Sequence, residues 1–321
     1  MKLFEGLQRR RVEKLSQKGY ELIDAEEFDR ALEVAEELER LRYSAAFEIA
    51  ALAHAGKGDL AAAVRALERG VEKAPDVWLN WQLLGNYRSD LGMIAEAAEA
   101  YERALECPDV SRSSIRLNQA ILANRTGDHA AALHLAGEVD DPETAVWAAA
   151  LRVDSLTALG RREEAERLGL QILSEAGEEA DADPLCNVAL NIARIRLDRG
   201  EPRPDVRVFA VQQLERNPGH NDLLALIRDI DGLYSETAQH YRLLIRGQIP
   251  EDHPMAGEAK GFYSNWQVLA DSPEEALEFI RAIDRPAAPL SLEQWEAAEP
   301  RPQDPKGVYW RSGRVYYQEE D

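Results

Sequence analysis

Cysteine is nearly absent. The 321 residues contain only Cys107 and Cys186, far apart and without metal-type spacing, so neither a disulfide framework nor a zinc site is indicated. Long apolar runs are missing too. No stretch approaches the roughly 18 residues of a membrane helix. The opening residues, MKLFEGLQRRRVEKL, are charged from Lys2 and Glu5 and lack the apolar core of about 7 to 15 residues that marks a signal peptide. These absences lead to the expectation of a cytoplasmic protein that neither spans nor lies on a membrane. Positive charge is also short: 38 Lys and Arg stand against 59 Asp and Glu, a net charge of -21. The deficit runs through the chain, since the residues from Glu236 onward hold 16 acidic and 9 basic side chains. Nucleic-acid phosphates need clustered Lys and Arg, so nucleic acid is not an expected partner.

The usual catalytic patterns are missing as well. There is no Gly-rich phosphate loop, no GxSxG, no HExxH and no CxxC. His129 and His134 lie five residues apart, the wrong rotation for two ligands on one helix. Carboxylate pairs such as Glu36-Glu37 and Glu178-Glu179 are what solvated helix faces and acidic loops contain. No cofactor and no metal is implied. What the chain does have is 45% apolar and 30% charged residues, a composition that folds rather than staying disordered. Its length suits two domains, or a repeat array followed by one domain.

A repeat is present. Gly92, Gly127 and Gly160 lie 35 and 33 residues apart, and with Gly58 they place Ala63, Ala97, Ala132 and Ala165 each at the fifth residue after a glycine. One unit is the clearest, with Trp81, Leu84, Gly85, Gly92, Ala97, Tyr101, Ala104 and Pro108. The unit before it has Phe47, Ala50, Gly58, Ala63, Leu67, Gly70 and Pro75. Within the clear unit, Trp81, Leu84, Gly85 and Arg88 follow the spacing of one helix face, and Ala97, Tyr101 and Ala104 mark a face of the next helix. Small residues let the two helices approach, the glycine serves the turn between them, and the proline falls where units meet. A single such unit cannot bury its own face, so neighbours stack.

These residues resemble the tetratricopeptide repeat over about residues 12–178. The resemblance implies a mainly α fold, a right-handed α-α superhelix or helical solenoid, with units starting near 12, 44, 78, 113 and 146 and a degenerate one near 186. The first unit, with Leu15, Gly19, Leu22, Ala31, Ala35 and Leu38, has Glu26 where the others have a loop glycine. The fourth and fifth replace the tryptophan by Arg116 and Ala149. In the sixth, Gly200 is followed by Pro202 and Pro204, which forbid immediate helix continuation. The array is expected to occupy 1–235.

Residues 219–235 predict one more helix, and then the period changes from helical to alternating. Tyr241, Leu243 and Ile245 within 240–249, and Phe262, Trp266 and Val268 within 262–270, share strand faces. Ser272, Pro273 and Glu275 read as N-cap, first helical residue and closing member of a capping box. Residues 290–298 predict a further strand, and Gly307 to Tyr317 a hairpin turning at Ser312-Gly313. The expected second domain, 236–321, is a small α+β unit of antiparallel strands with one helix, and the proline-rich Glu299 to Lys306 is an ordered loop within it.

The repeat resemblance also implies a binding face. In the family it lies on the first helix of each unit, opposite the packing stripe. On the units that align, this gives Glu48 and Leu52, then Leu79, Gln82, Asn86 and Ser89, then Leu117, Ile121 and Asn124, with Arg125 adjacent, and in the fifth Trp147, Asp154 and Thr157. This amphipathic set suits a protein segment or peptide. It departs from the family members that grip chaperone C-termini with Lys and Asn, because Glu48, Leu52, Leu117 and Ile121 stand where those residues belong. The reading is a non-catalytic scaffold or adaptor for another protein, with a homo-oligomer possible but not indicated. One alternative, motivated by charge alone, is an acidic inhibitor or immunity-type protein neutralising a basic partner. A second is an enzyme with an unfamiliar site in the C-terminal domain, expected as a deep pocket around His240 or His253.

Overall fold

The computed structural model describes residues 2–177, 179–249, 259–284 and 289–318, with the side chains of 2–9 outside the description. The chain forms two compact units, Met1–Ser155 and Leu156–Asp321.

The first unit is built from helix pairs: α1 (Lys2–Asp24) with α2 (Phe28–Arg40), α3 (Ala45–Gly56) with α4 (Leu60–Lys73), α5 (Trp78–Asp90) with α6 (Ile94–Glu106), and α7 (Arg112–Arg125) with α8 (His129–Gly137). The start of α9 (Pro142–Ala158) closes it. Gly58, Gly92 and Gly127 sit in the loops inside pairs with φ of 80°, 77° and 83°, the left-handed region where a side chain costs free energy. Glu26 takes the same conformation in the first pair, φ 57°, so the loop geometry is kept where the glycine is lost. The side chain of Asp59 accepts a hydrogen bond from the Ala62 N–H (2.8 Å), and Asp128 from the Ala131 N–H (3.0 Å), which caps α4 and α8. The repeated alanines Ala63, Ala97 and Ala132 are completely buried, as close helix approach requires. Trp81 is half-buried, and its indole N–H donates to the Pro75 carbonyl (2.9 Å), tying α5 to the segment that precedes it.

Each helix packs on its successor, and the first helices α1, α3, α5 and α7 also pack on one another in order. No comparable packing joins consecutive second helices among the described residues. The first helices therefore form the closer-set layer, and their outward faces lie side by side.

The second unit opens with α10 (Arg162–Glu175), α11 (Ala182–Asp198), α12 (Arg203–Gln213) and α13 (Asn221–Asp231). Gly200, φ 83°, turns the chain between α11 and α12 as the loop glycines do in the earlier pairs. Pro202 is the N-cap of α12 and Pro204 lies in its first turn, positions where a missing N–H costs nothing, so the prolines start the next helix rather than ending the repeat. Left-handed Gly232 (φ 58°) stops α13.

The strands β1 (Gln239–Gln248), β2 (Gly261–Ala270), β3 (Leu290–Pro300), β4 (Gly307–Arg311) and β5 (Val315–Tyr317) form one antiparallel sheet in the order β3-β1-β2-β4, with β5 also on β2, and α14 (Pro273–Ile283) follows β2. The expected alternation is present: Tyr241, Leu243, Ile245, Phe262, Trp266 and Val268 are all buried and share one core with Ala276 and Ile280 of α14 and with buried residues of α11, α12 and α13. That shared core joins α11 to α13 with the sheet inside the second compact unit. The change of period lies between Asp231 and Gln239, but the apolar sheet face needs cover, and α11 to α13 supply it.

Two local expectations are corrected. Gly307 to Tyr317 is not a hairpin. β4 pairs with Leu269 to Trp266 and β5 with Tyr263 to Gly261, so both run along the same edge of β2 as one interrupted strand. Ser312 fills the interruption: its N–H donates to the Asn265 carbonyl (2.8 Å) and its hydroxyl accepts from the Asn265 N–H (2.9 Å). Gly313 lacks the positive φ that a tight hairpin turn would require. At α14, Ser272 accepts from the Glu275 N–H (3.2 Å), but the Glu275 carboxylate reaches the Asp271 N–H (2.7 Å) instead of the N-cap's own, one residue off the expected box.

Candidate functional site

The outward layer of first helices in the first unit carries the ten residues singled out from Glu48 to Arg125, and Asp154 is half-buried on α9. Glu48 and Leu52 lie one turn apart on α3, both half-buried. Gln82 and Asn86 are half-buried on α5, and Ile121 (38% exposed) and Arg125 are exposed on α7.

Several of these side chains are joined. The Tyr101 hydroxyl on α6 donates to Asn86 Oδ1 (2.9 Å). Arg125 crosses from α7 to the end of α5, where it donates to Ser89 Oγ (2.9 Å), Asp90 Oδ1 (3.0 Å) and the Ser89 carbonyl (3.3 Å). A cation at the C-terminal end of α5 is favoured by the helix dipole, and the Ser89 carbonyl accepts from Arg125 in addition to the Gly92 N–H. Asn124 Oδ1 and His129 Nδ1 are 2.8 Å apart. Hydrogen bonds between neighbouring helices thus join these polar groups of α5, α6 and α7.

Two of the ten do different work. Leu117 is buried and packs with Ala120, Ala136, Ala148 and Leu151, so it belongs to the core between α7, α8 and α9. Ser89, 4% exposed, is an acceptor for Arg125 and not a surface contact. In both cases the local helix rotation turns a nominally outward position toward a neighbour.

Two tyrosines that the position rule missed, Tyr20 and Tyr87, interact with Glu48. Burial pushes the Glu48 carboxyl up, and a hydrogen bond from the Tyr20 hydroxyl on α1 pulls it partly back. Burial also raises the Tyr20 and Tyr87 hydroxyls, and the Glu48 charge raises both further. Tyr43 acts on Tyr20 from the loop before α3. A signal for Tyr20 existed: it lies five residues after Leu15, as Leu52 does after Phe47 and Asn86 after Trp81. Tyr87 falls outside that register.

In the second unit, His240 stands half-buried on β1 with its ring edge-on to Tyr309, centroids 4.9 Å apart. Burial, with Arg301 and Arg228, holds its pKa below the usual value. The adjoining depression, about 630 Å³, is open on the uncovered sheet face and includes His240, Arg242, Gln267 and Glu296. Arg242 and Glu296 pair across it at 3.2 Å. No nucleophile or carboxylate is hydrogen-bonded to His240 among the described residues, and His253 lies outside them. Cys107 and Cys186 are buried and unpaired. Among the described residues no group of three or more His, Cys, Asp or Glu could hold a metal, and no helix is long and apolar enough to cross a membrane.

No family model matches the chain, and no curated protein matches it in sequence. Solved structures do. PilW, a type IV pilus biogenesis factor, superposes with a TM-score of 0.57 at 16% identity, over 67% of this chain and 98% of PilW. PilF of Pseudomonas aeruginosa gives 0.55 at 13% identity, over 70% and 98%. The C-terminal part of a TPR repeat-containing protein from Cytophaga hutchinsonii gives 0.51 at 14% identity, over 67% and 84%. At these identities the likeness is one of fold: the helical part of the chain is TPR-like, and a small antiparallel sheet follows it.

Proposed function

We propose that the protein is a non-catalytic adaptor that holds a segment of another protein along the first-helix face of residues 1–155. The observation that carries this is the preset polar row of Asn86, Asn124 and Arg125, fixed by Tyr101, His129, Ser89 and Asp90, beside exposed Ile121. Polar groups held in place by their own neighbours lose little freedom on binding, and an apolar side chain next to them offers area to bury. Trp147 on α9, 40% exposed, extends the apolar component of the face. The cytoplasm is the compartment this reading assumes, in keeping with two buried free thiols.

The test is capture of partners from native extract by the intact protein and by Gln82→Glu and Ile121→Glu, with circular dichroism confirming that both variants fold. A protein retained by the wild type and lost from both variants, and which slows hydrogen exchange in α5 and α7, supports the reading. Equal retention by all three moves the site off this face. Capture that weakens steeply with salt while remaining indifferent to Gln82 and Ile121 would favour the charge-driven inhibitor instead.

A further inference from the structure

Where other cations of the second unit form partly buried ion pairs, acids match them. Arg207 has Asp231 at 2.6 Å, Arg196 and Arg199 share Glu166 and Glu201, and Lys306 has both Asp271 and Glu275. Asp284 breaks this pattern. At the end of α14 its Oδ1 accepts from Arg311 Nη1 (3.2 Å) and from Arg314 Nη2 (2.8 Å), and no second acid pairs with either arginine among the described residues. The side chains of Asp284, Arg311 and Arg314 are only 6%, 8% and 17% exposed, so one positive charge is left over where water screens it poorly. Burial lowers the Arg311 pKa, Asp284 works against this, and the Arg314 charge lowers it further. Aromatic rings hold both guanidiniums in place: Arg311 lies over Trp266, 5.0 Å from the centroid, and Arg314 over Phe262 at 4.3 Å. Donors remain unused. Arg314 Nε is buried without an acceptor, and Arg311 Nη2 and Arg314 Nη1 have none among the described residues. Asp284 Oδ2 is buried and unpaired beside them, so the one carboxylate present turns a single oxygen to both cations.

The three residues line a depression of about 380 Å³ whose walls also include Leu214, Ile283 and Tyr316. We propose that this depression binds an organic carboxylate with an apolar body, the carboxylate on Arg311 and Arg314 and the body against Leu214, Ile283 and Tyr316. Guanidiniums match a carboxylate through paired N–H donors, and a single negative charge balances the surplus, which a phosphate dianion would overshoot. Glu215 also lines the depression, but it is exposed to water and pairs with neither arginine, so it opposes an anion without filling its place. The volume suits a small acid or the last residue of a peptide, and both present the same chemistry. The site lies wholly within the second unit and is independent of the first-helix face.

The experiment titrates the full-length protein and follows the indole NMR signal of Trp266, the ring beneath Arg311. The probes are acetate, isocaproate, hydrocinnamate, the amides of the last two, and an acetylated peptide ending in leucine with its C-terminus free or amidated. Isocaproate and hydrocinnamate should shift the signal and bind roughly tenfold more tightly than acetate, and their amides should not bind. Arg314→Gln should weaken binding by roughly tenfold, whereas Asp284→Asn, which removes the competing carboxylate, should strengthen it by a similar factor. Glu215→Gln, at an exposed position, should strengthen it at low salt, and a triad that is only structural predicts neither gain. Hydrogen exchange confirms that each variant folds, and Arg314→Gln with Glu215→Gln decides the matter if Asp284→Asn does not. Tightest binding by the peptide with a free C-terminus would identify a partner's chain end as the source, and tightest binding by the small acids a free metabolite; either supports the site. Equal binding of acid and amide, indifference to Arg314→Gln, weaker binding by folded Asp284→Asn, or no shift with any probe would overturn it.

Discussion

A size swap between α1 and α3 tests the packing that sets the first-helix layer. Gly19 is buried in α1, and a methyl added there would lie 2.6 Å from Ile49 Cδ1, 3.2 Å from its Cγ2 and 3.3 Å from its Cγ1. Ile49 is completely buried and has nowhere to move. Gly19→Ala gains about 1 kcal/mol of helix propensity but overpacks the contact at a cost of about 1–3 kcal/mol, a net loss of up to about 2 kcal/mol. Ile49→Val removes the offending Cδ1 and by itself costs about 0.5–1.5 kcal/mol through the space it leaves. The double variant moves one carbon from α3 to α1, so the 2.6 Å clash and the cavity offset each other, and Cγ2 and Cγ1 at 3.2 and 3.3 Å need give only by a few tenths of an ångström. Its stability should match or exceed that of the wild type, a favourable coupling of at least ~1 kcal/mol. Urea unfolding read by hydrogen exchange of α1 and α3 peptides isolates the first unit from the second. Additive losses in the double variant, or a Gly19→Ala that stabilises the wild type on its own, would refute the reasoning.

The left-handed loop residues should respond oppositely to substitution. Glu26→Gly relieves strain and should stabilise the first unit by about 0.5–1 kcal/mol, whereas Gly92→Ala, in the same conformation with open space around it, should destabilise by about 1 kcal/mol. Chemical denaturation of both variants checks the pair, and the same sign for both would be inconsistent with the turn geometry. In the second unit, hydrogen bonds from Lys306, Ser235 and Thr237 hold the Asp271 carboxyl down at about 2. A depressed folded-state pKa contributes stability above the unfolded value, near 4, that is lost as pH falls toward 2. Asp271→Asn should therefore lower the urea midpoint at neutral pH, and the difference should close over that acid window; a gap that stays constant down to the acid limit would show that Asp271 does not act through its charge. Burial pushes the Cys186 thiol up to about 11, so at about pH 8 a thiol reagent should label it only as fast as the second unit opens. Immediate labelling of the native protein would contradict its burial.

The sequence by itself determined the repeat, since each of its marks has a local cause. A turn between antiparallel helices needs a left-handed residue, and Gly58, Gly92, Gly127, Gly160 and Gly200 all adopt that conformation. Close helix pairs need small side chains, and Ala63, Ala97, Ala132 and Ala165 are all fully buried. Alternation likewise revealed the buried face of β1 and β2. Only the tertiary structure decided what covers that face: α11 to α13 read as repeat helices, yet their apolar sides pack against the sheet, because burial depends on neighbours that spacing within a helix does not specify. The partner of β5 was hidden for the same reason, since Ser312-Gly313 can serve a turn or a bulge and pairing along β2 chose the bulge. On the candidate face, position alone singled out Glu48 and Asn86, with Arg125 adjacent to Asn124. That Leu117 turns inward, that Arg125 is bound to Asp90, and that Tyr20 and Tyr87 pack against the cluster that contains α3 are contacts between helices, fixed by how successive pairs stack and invisible in any one of them.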